Sequence, residues 1–245
     1  MRLTRVHVDR PLSVGAEIAL PDNAAAHLTR VLRLGVGDAC VLFNGDGHDY
    51  TARIAAIGKR EVRASIDSVA PVVRESPLQL VLLQGVARGE KMDLILQKAT
   101  ELGAAGFNPL WSQRSEVKLD ESRAEKRLAH WRSVVASACE QSGRAEVPAV
   151  NAPLALGLVL AALPEGGLRL ILDPEGELSF STLSVDASAP VYLAIGPEGG
   201  WSDNDREQLR AAGFQGLRLG PRILRTETAG LAAIAALQAG FGDFG

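Results

Sequence analysis

The chain has 245 residues, 47% of them hydrophobic and 22% charged, enough to bury a sizeable core in one large domain or two modest ones. Its most apolar run, residues 152–163, contains Pro153 and Gly157 and falls far short of the roughly 20 residues a bilayer span needs, so no membrane segment is expected. The net charge of −3 excludes a global basic field: residues 1–73 carry 9 basic and 8 acidic side chains, residues 74–147 carry 11 and 10, and residues 148–245 carry 6 and 11. Any nucleic-acid surface must be a local cluster in the first two thirds.

The first ten residues spread charge through the segment with no apolar core, so no secretory signal is read and a cytoplasmic location is expected. Residues 3–8 and 16–20 read as short strands. Asp22 is placed to cap a helical stretch through Arg33, with Leu28, Val31 and Leu32 facing inward. Asn44-Gly45-Asp46-Gly47 supplies a tight turn between a strand over 39–43 and one in which Tyr50, Ala52, Ile54 and Ala56 alternate with polar residues. Val62, Ala64 and Ile66 mark a third strand. Residues 70–77 read as a linker. So many short strands in so few residues suggest a compact barrel. Cys40 and Cys139 lack the paired spacing of a zinc or redox motif and are expected to be reduced structural thiols. The four histidines show no metal-ligand spacing, and no metal is expected.

From Leu78 strands alternate with helices, the pattern of an α/β domain with a mainly parallel sheet. A buried strand over 78–83 precedes a helix carrying Met92, Ile95, Leu96, Ala99 and Leu102, which Gly103 is placed to end. A longer helix runs through Leu128, Trp131, Val134, Val135 and Ala138. Strands return over 168–172, 191–195 and 217–219, and Thr226 is placed to cap a final Ala-rich helix through Leu237. The implied division is residues 1–73 and 74–245.

In open α/β sheets ligands bind beyond the carboxyl ends of strands, which directs attention to residues 172–176, 196–200 and 220–228. Gly196-Pro197-Glu198-Gly199-Gly200 admits two readings: a loop whose backbone a ligand approaches closely, or a tight turn into a helix that Ser202 and Asp205 cap. No G-x-G-x-x-G and no G-x-x-x-x-G-K-[ST] is present, so neither a dinucleotide nor a nucleoside triphosphate is supported. Lys91 and Lys98, seven apart, share a helical face opposite the apolar stripe, which is ordinarily a solvated surface. Arg88, Arg114 and Arg144 are the other basic candidates.

Several blocks in order match a known set: Lys91-Met92-Asp93, residues 97–103 (Gln-Lys-Ala-Thr-Glu-Leu-Gly), Arg114-Ser115, residues 140–144 with Pro148, residues 195–200, and residues 219–229. Over about residues 80–230 the chain resembles the RsmE family, which methylates N3 of a uridine in 16S ribosomal RNA. The resemblance implies a C-terminal SPOUT-type methyltransferase domain with a trefoil knot, preceded by a PUA-like β-barrel that binds RNA. It also implies a homodimer that acts on 16S rRNA or the small ribosomal subunit, with S-adenosyl-L-methionine as cofactor. By motif position Leu172, Gly196, Glu198, Gly199, Leu219, Gly220, Ile223 and Leu224 would line the cofactor pocket. Arg30, Arg33, Arg88, Lys91, Arg114 and Arg144 would contact RNA. Trp201 stands where phenylalanine is common after the double glycine.

N3 of uracil lies on the Watson–Crick edge and carries a proton, so the base must leave its stack and lose that proton. Candidate groups are Glu198, Arg225 and Glu227. A carboxylate can accept the proton, whereas an arginine stabilises the developing anion. Two alternatives stand beside this reading: a non-catalytic RNA-binding assembly factor, and a knotted methyltransferase acting on transfer RNA or a ribose hydroxyl.

Overall fold

The computed structural model describes residues 3–115 and 121–245. The chain forms two compact units, one comprising the residues up to Glu75 with Ala136–Val147, the other Ser76–Val135 with Pro148–Gly245.

The first unit is built on β1 (Arg5–His7), β2 (Glu17–Ala19), β3 (Ala39–Phe43), β4 (His48–Ile57) and β5 (Val62–Pro71), with α1 (Asp22–Ala26) between β2 and β3. The sheet order is β1-β3-β4-β5-β2, with β1 parallel to β3 and the other pairs antiparallel. The expected turn joins β3 to β4, and Gly45 and Gly47 take φ of 93° and 85° there. Tyr50, Ala52, Ile54, Val62, Ala64 and Ile66 alternate into one core with Val6, Leu28 and Cys40.

Four local expectations are corrected here. Asp22 is the first residue of α1 rather than its cap, and the helix passes into a π-helical turn over His27–Val31. The wider winding rotates the phase, so Leu28 is buried but Val31 and Leu32 are 66% and 40% exposed. A register shift between Ile54 and Ala56 leaves Ala56 exposed, as a β-bulge does. Ala70 and Pro71 belong to β5 rather than to a linker, because β4 is long enough to pair with them. Segment Ala136–Val147 is tied in by Arg5, whose Nη1 donates to Cys139 O at 2.8 Å and whose Nη2 donates to Arg144 O at 3.0 Å. Both cysteines are free and buried, and burial raises their thiols to about 11 for Cys40 and about 12 for Cys139.

The second unit contains β6 (Leu80–Gly85), α2 (Glu90–Glu101), β7 (Gly106–Trp111), α3 (Glu121–Ser142, through Val135), β8 (Ala149–Val150), β9 (Leu154–Ala155), α4 (Leu156–Ala162), β10 (Leu168–Leu172), β11 (Val191–Ile195), α5 (Asp203–Ala211), β12 (Gln215–Leu217) and α6 (Thr226–Phe241). Its sheet is parallel in the order β12-β10-β11-β6-β7-β8, with β9 also on β7. A parallel sheet is covered on both faces, which is why every residue of β11 is buried. Gly103 takes φ 87° just past α2, as expected of a helix-ending glycine. The strand expected over 217–219 ends at Leu217, where its pairing with Leu172 ends. Thr226 is the first residue of α6, not its cap.

Among the described residues no helix is long and apolar enough to cross a membrane, and no group of three His, Cys, Asp or Glu is placed to hold a metal.

Candidate active site

The carboxyl ends of β6, β10, β11 and β12 lie along one edge of the parallel sheet, so the loops that follow them meet. Gln84, at the end of β6, donates through Nε2 to Thr226 Oγ1 at 3.0 Å. Thr226 Oγ1 donates in turn to Gly196 O at 2.6 Å, joining the loop after β11 to the start of α6. Gly85 is required beside them: a Cβ there would stand 2.6 Å from Pro197 N and Cδ. Gly85→Ala is therefore expected to lower the unfolding free energy by about 1–3 kcal/mol, measurable by denaturant titration. An unchanged midpoint and slope would mean the loop after β11 yields without cost.

These loops enclose a cavity of about 500 Å³, within the range of about 300–1,000 Å³ typical of small-molecule sites. Leu172, Gly196, Glu198, Ile223 and Leu224 line it, as do Arg225 and Glu227. Leu219 and Gly220 line an adjoining pocket of about 90 Å³ that shares Leu172, Ile223 and Leu224 with the first. Gly199 is the exception. A Cβ on it would meet Arg114 Cβ at 3.1 Å and Arg114 O at 3.2 Å, so its open side faces Arg114, while Gly200 lines the cavity. The two readings of this segment are both realised: Ser202 and Asp205 form a capping box at the start of α5, and the loop before it is a cavity wall.

Sequence reasoning missed several lining residues. Trp201 is 4% exposed and its Nε1 is a buried donor with no acceptor among the described residues. Its aromatic type was visible, but its direction into the cavity was not. Arg206 lines the cavity and its Nη1 bonds to Asp173 Oδ2, tying α5 to the loop after β10. An Asp directly after a buried strand was the available signal for Asp173. Ile195 and Pro197 complete the apolar wall.

Beside Arg206, the charged part of the lining comes from the starts of α2 and α6 and from the loop after β11. Lys91 Nζ lies 3.4 Å from Glu198 Oε1 and 3.6 Å from Glu227 Oε2. Glu198 also accepts the Arg88 N–H at 3.1 Å. Burial works to raise the Glu198 carboxyl, but backbone N–H groups of Arg88 and Glu198 and the Lys91 ammonium outweigh it and hold it below its ordinary value. Glu198 is thus an ionised anchor and a poor proton acceptor. Glu227 Oε2 is buried and accepts no hydrogen bond from the described residues. Arg225 lines the cavity and is exposed.

The basic residues expected at RNA separate into two groups. Arg30, Arg33, Arg88 and Arg114 are exposed. Arg33 takes φ 57° where the π-helical turn ends, and Arg114 donates to Gly199 O at 3.2 Å. Lys91 and Arg144 stand in other surroundings, and for Arg144 the expected RNA contact is corrected. Lys91 stands on the cavity wall between two carboxylates, not on a solvated face. Arg144 is 7% exposed, its Nη2 2.5 Å from Glu75 Oε2, so its guanidinium is committed within the first unit.

Residues 74–238 match the family described as an RNA methyltransferase domain, and residues 20–67 match an RNA methyltransferase PUA domain. The fold is similar, with a TM-score of 0.92 and 40% identity over all of both chains, to the crystal structure of a ribosomal RNA small subunit methyltransferase E from Neisseria gonorrhoeae bound to S-adenosyl methionine. Proteins of the same name are 33% identical in Bacillus subtilis, over 86% of each chain, and 31% identical in Buchnera aphidicola subsp. Schizaphis graminum, over 99% of this chain and 98% of that one. A match to the domain family over most of the chain, together with relatives above 30% identity along nearly all of it, places this protein in the ribosomal RNA small subunit methyltransferase E family.

Proposed function

We propose that the protein methylates N3 of a uridine in 16S ribosomal RNA, using S-adenosyl-L-methionine. The observation that carries this reading is the cavity at the carboxyl ends of the strands, where an apolar wall meets the Lys91–Glu227 pair. The residues present fit the cofactor. Leu172, Ile195 and Leu224 offer apolar surface, and Trp201 Nε1 is a buried donor in need of an acceptor. Ile223, 85% exposed on the same wall, is an apolar side chain for a ligand to cover.

S-adenosylmethionine supplies a methyl group on a sulfonium sulfur, which leaves as a neutral thioether when the uracil nitrogen displaces it. The chain's own residues hold the base and move its proton. Glu227, a carboxylate on the cavity wall beside Lys91, accepts the N3 proton. Arg225 stabilises the negative charge that spreads onto the uracil oxygens. Glu198, kept ionised, anchors Lys91 and the backbone of Arg88.

Residues 1–73 are proposed as the RNA-binding domain and 74–245 as the methyltransferase domain. A trefoil knot, a homodimer and a cytoplasmic location complete the reading. The decisive experiment is calorimetric titration of the purified protein with S-adenosylmethionine, followed by mass spectrometry of small-subunit rRNA for 3-methyluridine. Absence of both binding and product would overturn the reading. For the RNA surface, alanine at Arg30, Arg33, Arg88 and Arg114 together is expected to flatten the salt dependence of RNA binding by roughly one log–log unit for every phosphate left without its arginine. The parent's slope in that variant would exclude these arginines as phosphate contacts.

A further inference from the structure

Lys91 is the second residue of α2, where a cation opposes the helix dipole, so helix stability does not account for it. Its ammonium stands 3.4 Å from Glu198 and 3.6 Å from Glu227, both longer than the roughly 2.7–2.9 Å of a charge-assisted hydrogen bond. Glu198 is already engaged by the Arg88 N–H, and Glu227 Oε2 is buried without a hydrogen bond among the described residues. On one wall of the cavity, therefore, a cationic donor and a carboxylate acceptor stand side by side, both part-exposed and paired with each other only at 3.6 Å.

That pattern is the complement of one pyrimidine edge and not the other. Uracil presents the O4 acceptor beside the N3–H donor. Cytosine in the same pose presents the N4 amino donor beside the N3 lone pair, which would set donor against donor at Lys91 and lone pair against carboxylate at Glu227. We propose that Lys91 and Glu227 together select uracil over cytosine, Lys91 donating to O4 while Glu227 accepts from N3–H. The proposal rests on the methyltransferase reading above. Lys91 then acts through recognition of the base, and its charge also faces the oxygen that becomes more negative as the N3 proton leaves.

The test first maps the nucleotide that the native protein methylates in a small-subunit rRNA transcript, by mass spectrometry of nuclease fragments. A second transcript carries cytidine at that one position, and initial rates of methyl incorporation are compared on the two. Lys91→Met is expected to lower the uridine-to-cytidine rate ratio at least about tenfold, since a good two-point contact to a base edge discriminates by about that much or more. Lys91→Arg, which retains a cationic donor, is expected to restore most of the ratio. Glu227→Gln, whose amide donates as well as accepts, is expected to shift the ratio in the same direction as Lys91→Met. Titration with S-adenosylmethionine establishes that each variant is folded and loaded. If Lys91→Met and Glu227→Gln slow both transcripts equally and leave the ratio at the native value, the proposal is overturned while the methyltransferase reading stands. If the native protein neither binds the cofactor nor methylates any pyrimidine, that reading falls and the proposal with it.

Discussion

Glu227→Gln is expected to lower the single-turnover rate of methyl transfer by about 10²–10⁴-fold, the range associated with loss of a positioned general base. The substitution keeps shape and volume but removes the proposed acceptor of the N3 proton. Glu227 is singled out among the site's carboxylates because its Oε2 is buried without a hydrogen bond, whereas Glu198 is held by the Arg88 N–H and sits below its ordinary pKa. The sign of the pH effect follows. Raising the pH ionises more N3 without help, so the variant's rate should climb toward the parent's between pH 7 and 10. Cofactor affinity should change little, because the role proposed for this carboxylate is toward the base. A rate near the parent's across that range would leave proton removal to solvent or to a backbone group.

Arg225→Lys is expected to cost about 10²-fold in the same rate. The ordinary alternative is that Arg225 only precedes α6, contributing to local electrostatics. Lysine keeps the charge but loses the planar fork, so a role in holding two sites of negative charge on uracil predicts a large rate loss. A role in loop structure predicts a change in cofactor affinity with the rate preserved. Titration and single-turnover measurement on one preparation separate the two. Loss of affinity at an unchanged rate would remove Arg225 from the chemistry.

Where the sequence was informative, the signal was local. The alternation of Tyr50, Ala52 and Ile54, and of Val62, Ala64 and Ile66, located two strands because side chains on successive residues point to opposite faces. Gly45 and Gly47 located the turn between β3 and β4. Strand, loop and helix order from Leu78 onward directed attention to the segments that become the cavity wall. Ser202 and Asp205 declared a helix start through spacing alone.

Where the sequence misled, the deciding interaction came from elsewhere in the chain. The phase of the helix after Asp22 changed at a π-helical turn, which no apolar periodicity reveals. Lys91 looked like half of a solvated face because its own helix says nothing about Glu198 and Glu227, brought to it from the loop after β11 and the start of α6. Arg144 looked available until Glu75 was found against it.

By itself, then, the sequence determined many of the strands and helices, though not β7, β8, β9 or α4, together with the order of the candidate loops and the residue types able to serve a methyl transfer. Those features depend on neighbours within a few positions. Only the tertiary structure decided that Gly200 rather than Gly199 faces the cavity, that Trp201 is part of the cavity wall, and that Lys91 stands between two carboxylates. The physical reason is that each depends on a partner remote in the chain, as with the Arg88 N–H and Glu198 carboxylate, which meet across a sequence separation of 110 residues.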